Sequence, residues 1–147
     1  MEPDAPQLRY AFRIIAKVGE YLPLEQRDRE ILEFIPIVGG SVSGDITGEV
    51  LNGGGDWCRT RADDAYDVEA RYLMRTTSGA VIDVVNVGIL RHLAGEPSES
   101  EQMGYFLTTP RFRTVAPELQ WLTRSVFVGR ATAGTDSTTI DVFEVLE

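Results

Sequence analysis

Val68-Glu69-Ala70-Arg71-Tyr72-Leu73-Met74-Arg75-Thr76, a Gly79-Ala80 turn, then Val81-Ile82-Asp83-Val84-Val85-Asn86-Val87-Gly88 reads as one long β-hairpin. Successive strand side chains point to opposite faces, so Glu69, Arg71 and Arg75 share one face while Ala70, Tyr72 and Met74 share the other. In a small closed sheet one face is interior. A carboxylate and two guanidiniums inside are costly unless they pair or meet a ligand. The hairpin is therefore the expected location of a site.

The flanking sequence carries the same strand signature. Leu8, Tyr10, Phe12 and Ile14 alternate with Arg9, Ala11, Arg13 and Ile15 as a first strand over residues 8–18. Residues 21–31 are polar, hold a proline, and read as a turn or a single helical turn. Phe34-Ile35-Pro36-Ile37-Val38 begins the second strand, with Pro36 favouring an edge or a strand start. Gly39, Gly40, Gly44, Gly48 and Gly53-Gly54-Gly55 mark the bends and close backbone approaches of a tightly closing barrel. Short strands are expected at 40–42 and 46–51, with a turn at 43–45. Tyr105 opens a strand ended by Pro110, and the last two strands are placed at 121–130 and 138–146. Residues 91–104 are the one clear insertion, a loop or short helix of the kind that forms lids and binding loops. The expected fold is all-β: a single closed antiparallel barrel of about eight strands with little helix, spanning 1–147 as one domain with residues 1–7 a flexible lead-in.

The 147 residues suffice for one core, and 43% hydrophobic with 25% charged residues is ordinary for a soluble domain. Net charge −9 argues against a nucleic-acid partner. Lys17 is the one lysine beside 13 arginines. Met1 to Gln7 is acidic and proline-containing with no apolar h-region, so no signal peptide is expected, and no run approaches the roughly 18 apolar residues that span a bilayer. A single cysteine, Cys58, excludes an intrachain disulfide and fits a reducing compartment. The expectation is a cytoplasmic protein with no nucleic-acid and no membrane partner.

Several motifs are set aside. Gly53-Gly54-Gly55-Asp56-Trp57 resembles a phosphate loop, but no helix follows to bind the anion, so it reads as a tight turn presenting Asp56 and Trp57. One histidine, His92, and one cysteine do not make a zinc site, and Asp63, Asp64 and Asp67 fit hard-cation spacing poorly. No metal and no cofactor are expected. A nucleophile elbow and a dinucleotide fingerprint are both missing from the sequence. What remains is a cofactor-free set, in which a carboxylate or tyrosine shuttles protons and Arg or Asn stabilises an anion. Asp56, Glu69 and Arg71 are the candidate catalytic residues. Trp57, Tyr72, Asn86, Tyr105, Arg111, Trp121 and Arg124 are the candidate substrate contacts. Arg71 and Tyr72 are neighbours, so only one lines the interior. The Glu69–Arg71 pairing favours Arg71, leaving Tyr72, Ala70 and Met74 to pack under the 91–104 loop or at a subunit contact. The bland alternative is a solvated charged face.

Seven segments taken together resemble the DUF3237 family, also called UPF0311. They are Pro36-Ile37-Val38-Gly39-Gly40, Val50-Leu51-Asn52-Gly53-Gly54-Gly55-Asp56-Trp57, Glu69-Ala70-Arg71-Tyr72, Gly79-Ala80-Val81-Ile82, Asn86-Val87-Gly88, Thr109-Pro110-Arg111-Phe112 and Trp121-Leu122-Thr123-Arg124-Ser125-Val126-Phe127-Val128-Gly129. The resemblance covers residues 10–146 and implies a small barrel similar to calycin-like and allene-oxide-cyclase-like barrels. The chain departs from the family pattern in a shorter 91–104 insertion and in Gly55, where alanine is expected. The leading functional expectation is a cofactor-free enzyme that isomerises, cyclises or eliminates from a small, largely apolar molecule held in the barrel. The alternatives are a non-catalytic small-molecule binding protein and a homodimeric interaction module pairing along 121–130.

Overall fold

The computed structural model describes residues 1–93 and 104–147. Ten antiparallel strands form one sheet: β1 (Gln7–Val18), β2 (Leu22–Arg27), β3 (Glu30–Gly44), β4 (Gly48–Val50), β5 (Gly54–Thr60), β6 (Tyr66–Thr76), β7 (Val81–Arg91), β8 (Tyr105–Arg113), β9 (Phe127–Ala133) and β10 (Ser137–Leu146). The sheet closes because β1 pairs with β10 on one side and with β3 on the other. β4 and β5 lie end to end between β3 and β6 and fill a single barrel position. The result is the eight-position closed barrel that the sequence implies. Pro117–Thr123 is a 3-10 helix. Among the described residues, no helix is long and apolar enough to cross a membrane.

Four local expectations are corrected. Residues 22–27 are a strand, not a turn, and all six are exposed. They continue along the edge of β3 where β1 leaves off, since Val18 pairs with Ile37 and Leu22 with Phe34. Pro36 sits in that break, its carbonyl accepting the Gly19 N–H at 2.8 Å. Its missing donor therefore interrupts no ladder, and β3 runs unbroken through 30–44. Pro110 is tolerated inside β8 for a similar reason, because β9 pairs with β8 only at Leu107 and Thr108. Residues 121–124 belong to the 3-10 helix and its end, and the strand starts at Phe127. The 91–104 insertion lies largely outside the described residues.

Inward residues divide the barrel into two halves. At one end Phe12, Met74, Ile82, Phe112, Phe127 and Val142 are buried, with Leu122 of the 3-10 helix against them. Edge-to-face rings link Phe12 to Phe112 at 5.5 Å and Phe112 to Phe127 at 5.2 Å, and Trp121 tilts against Phe127 at 6.0 Å. Aromatic pairs in this geometry add about 1 kcal/mol each beyond their buried area. This half is solid core. The other half holds a cavity.

Candidate functional site

The β6 alternation resolves opposite to the charge-pairing expectation. Tyr72 and Met74 are buried, whereas Glu69, Arg71 and Arg75 are exposed. Burying Val68, Tyr72 and Met74 gains apolar area, while two guanidiniums and a carboxylate inside would lose hydration that one pair cannot replace. Gly54 makes the interior Tyr72 possible, since a Cβ there would sit 2.5 Å from the Tyr72 Cβ. The glycine triplet is thus a packing device. Gly54 clears Tyr72, Gly55 lies under the Phe34 ring, and Gly53 turns the chain between β4 and β5 at φ +118°.

Two inward rows define the cavity. Ile35, Asp56, Ala70, Asn86 and Pro110 stand in register across β3, β5, β6, β7 and β8. Val68, Gly88, Thr108 and Gly129 form the next row, across β6 to β9. Strands lie about 4.8 Å apart, so Asp56 and Asn86 flank Ala70 with only its methyl between them. Tyr72 follows Ala70 on the same face. These rows enclose a cavity of about 50 Å³, lined by Asp56, Val68, Ala70, Tyr72, Asn86 and Thr108 and bordered also by Ala16, Val18, Ile37, Phe106, Ala131, Thr138 and Ile140. Val18, Phe106 and Thr138 are half-exposed, so the cavity opens at their end of the barrel.

The polar groups of this cavity are short of partners. Tyr72 Oη, Asn86 Oδ1 and Thr108 Oγ1 are buried with no hydrogen bond among the described residues. Buried polar atoms are normally satisfied, and each orphan costs about 1–3 kcal/mol. Three such atoms around one cavity give it donors and acceptors that a water or another small polar molecule could satisfy. Asp56 Oδ1 accepts the Glu69 backbone N–H at 3.0 Å. Burial pushes its carboxyl up from 3.8 to about 6, against the pull of that N–H and with help from the Glu69 charge. Burial, reinforced by Asp56, also holds the Tyr72 phenol well above its ordinary range, so it stays a proton donor. Cys58, on the same face as Asp56, is pushed by burial to about 12, which disfavours its thiolate.

Of the sequence-derived candidates, Asp56, Tyr72 and Asn86 meet at the cavity. The others are placed elsewhere. Glu69 and Arg71 face outward, which corrects their assignment to the interior. Trp57 is 40% exposed and stacks edge-on against Phe34 at 5.0 Å, on the face opposite Asp56, so it gives Asp56 no wall. Tyr105 and Arg111 alternate out of phase with the inward Phe106, Thr108 and Phe112. The Tyr105 ring lies 4.1 Å from the Arg91 guanidinium. Trp121 belongs to the sealed end, with the Arg9 guanidinium 5.7 Å above it, and Arg124 is exposed at the end of the 3-10 helix. Thr108 was missed, although it interrupts an apolar alternation as Asn86 does. Among the described residues, no three His, Cys, Asp or Glu side chains converge as metal ligands.

The barrel and its sequence have clear relatives. A UPF0311 protein of Rhodopseudomonas palustris is 39% identical over 149 residues, covering 95% of this chain and 97% of that protein. The crystal structure of the R. palustris protein superposes with a TM-score of 0.88, covering 98% of this chain and 100% of the other at 36% identity. A β-barrel-like protein of Acinetobacter baumannii reaches 0.88 at 26% identity over 98% of each chain. An enzyme from Penicillium herquei reaches 0.76 at 22% identity, covering 99% of this chain and 98% of its own, and shares the fold. The family described as protein of unknown function (DUF3237) matches residues 6–145. This chain belongs to the DUF3237 family.

Proposed function

We propose that the protein is a cofactor-free acid/base catalyst acting on a small, largely apolar molecule whose polar group enters the barrel cavity. The observation that carries this reading is the Asp56 carboxyl, tethered by one oxygen and bordering the same cavity as an unpartnered Tyr72 hydroxyl; burial there raises the carboxyl to about 6. A carboxyl of that strength exchanges protons in both directions near neutral pH. Asp56 takes a proton from the substrate, and the electron pair left behind moves onto a substrate oxygen. The Tyr72 O–H donates to that oxygen, with Asn86 and Thr108 orienting the group. Returning the proton to another atom completes an isomerisation. Expelling a leaving group that accepts it completes an elimination. Closing a ring on the activated atom, with the proton returned elsewhere, completes a cyclisation. The same barrel serves an enzyme in P. herquei, which supports only the capacity of the fold for catalysis.

The test is proton exchange. Small hydroxyketones and enones in deuterated buffer are followed by proton NMR with the wild type, Asp56→Asn and Tyr72→Phe. Turnover that falls about 10²–10⁴-fold in Asp56→Asn supports the reading. Equal turnover with Asn at this position removes Asp56 from the chemistry. Saturable binding with no exchange identifies a carrier instead.

A further inference from the structure

We propose that the cavity selects a neutral polar head, one hydrogen-bond acceptor beside one donor, and turns away carboxylates and phosphates. This rests on reading the cavity as the ligand site, and it concerns what that site admits rather than what it catalyses. Asp56 is the one charged side chain among the described residues that border the cavity; no Lys, Arg or His is with it. Arg71, Arg111 and Arg130, on the strands of the cavity wall, are exposed on the outer surface. An anion entering would shed its hydration, find no cation and approach the Asp56 carboxylate.

The orphaned groups state what is welcome. Tyr72 supplies a donor, Asn86 Oδ1 an acceptor, and the Thr108 hydroxyl either. A carboxamide or a hydroxy-carbonyl group satisfies Tyr72 and Asn86 at once. The 50 Å³ cavity accommodates little more than that head, since a single water needs at least about 10–15 Å³. The remainder of the ligand extends past Val18 and Phe106, so its body is apolar.

Acetamide and acetate test this, being equal in size and shape and different in charge. The full chain is labelled at its methyl groups, and the signals of Val68, Ala70, Ala131 and Ile140 are followed near neutral pH. Acetamide should shift them saturably, and acetate should bind about a hundredfold more weakly. Tyr72→Phe and Asn86→Leu should each weaken acetamide at least about tenfold. Acetate binding as well as acetamide overturns the proposal, as does acetamide leaving these methyls unmoved or binding both variants unchanged. If acetamide binds as expected while no compound is turned over, the catalytic reading fails and this one stands. If turnover depends on Asp56 while acetate binds as tightly as acetamide, only this one fails.

Discussion

Asp56 and Glu69 are joined across two strands by a bond that uses one backbone and one side chain: the Glu69 N–H donates to Asp56 Oδ1 at 3.0 Å. The Glu69 carboxylate meanwhile stands on the outer face. The backbone N–H favours ionised Asp56, but burial, with the Glu69 charge acting in the same direction, outweighs it. Asp56 is thus a half-buried acid whose charge is a liability to the fold.

That liability is measurable as a pH dependence. The folded-state value lies above the ordinary 3.8, so the folded chain holds this proton more tightly than the unfolded one. The resulting stability is fully present below 3.8 and is lost as pH rises through about 6. Discounted for partial exposure, it amounts to about 2 kcal/mol. Asp56→Asn keeps the acceptor for Glu69 and removes the titration. Urea unfolding at several pH values should show the variant gaining on the wild type between about pH 4 and 6, then holding a constant lead above about pH 7. A stability difference that does not change with pH contradicts the assignment.

Glu69→Gln should lower the Asp56 titration midpoint, because it removes a charge that raises it. Side-chain carbonyl NMR reads this directly. Arg71→Ala should leave stability within about 0.5 kcal/mol, as exposed strand positions do, and should leave turnover unchanged. Loss of turnover in Arg71→Ala would return the guanidinium to the mechanism.

The fate of Arg71 shows where sequence reasoning stops. The period of two on β6 separates Arg71 from Tyr72 correctly, and the barrel itself follows from such alternations and the spaced glycines. Which face turns inward depends on total burial, and here Val68, Tyr72 and Met74 outweigh one Glu–Arg pairing. Asn86 was legible because it continues the inward set Ile82 and Val84. Thr108 stands in the same relation to Phe106 and Phe112, and reading the alternation through Pro110 would have found it. The end-to-end placement of β4 and β5, and the short β8–β9 seam, arise from register between distant segments and leave no local trace.

Gly129 and Thr108 form that seam, and a Cβ at 129 would overlap Thr108 Oγ1 and stand 2.9 Å from Ile140 Cγ2. Gly129→Ala should therefore cost about 1–3 kcal/mol through overpacking. Adding Thr108→Ala removes the hydroxyl and should restore part of the loss. Urea unfolding of both singles and the double closes the cycle. Strictly additive effects would mean that the two positions do not press on each other.

Tyr72→Phe separates a binding hydroxyl from a structural one. Replacing a satisfied buried tyrosine hydroxyl usually costs about 1 kcal/mol, because a hydrogen bond is lost and its partner stranded. Tyr72 Oη has no such partner among the described residues, so its removal strands nothing. The ring keeps its place beside Gly54 and above the sealed half of the core. Stability should stay within about 0.5 kcal/mol of the wild type or rise, since desolvation of an orphaned hydroxyl disappears. Turnover should nonetheless fall by about 10–10³-fold if the hydroxyl meets the developing oxyanion. Thermal unfolding and proton exchange on the same preparation distinguish the roles. A variant that is destabilised by more than about 1 kcal/mol, with turnover unchanged, would make Tyr72 a packing residue whose hydroxyl is satisfied within the fold.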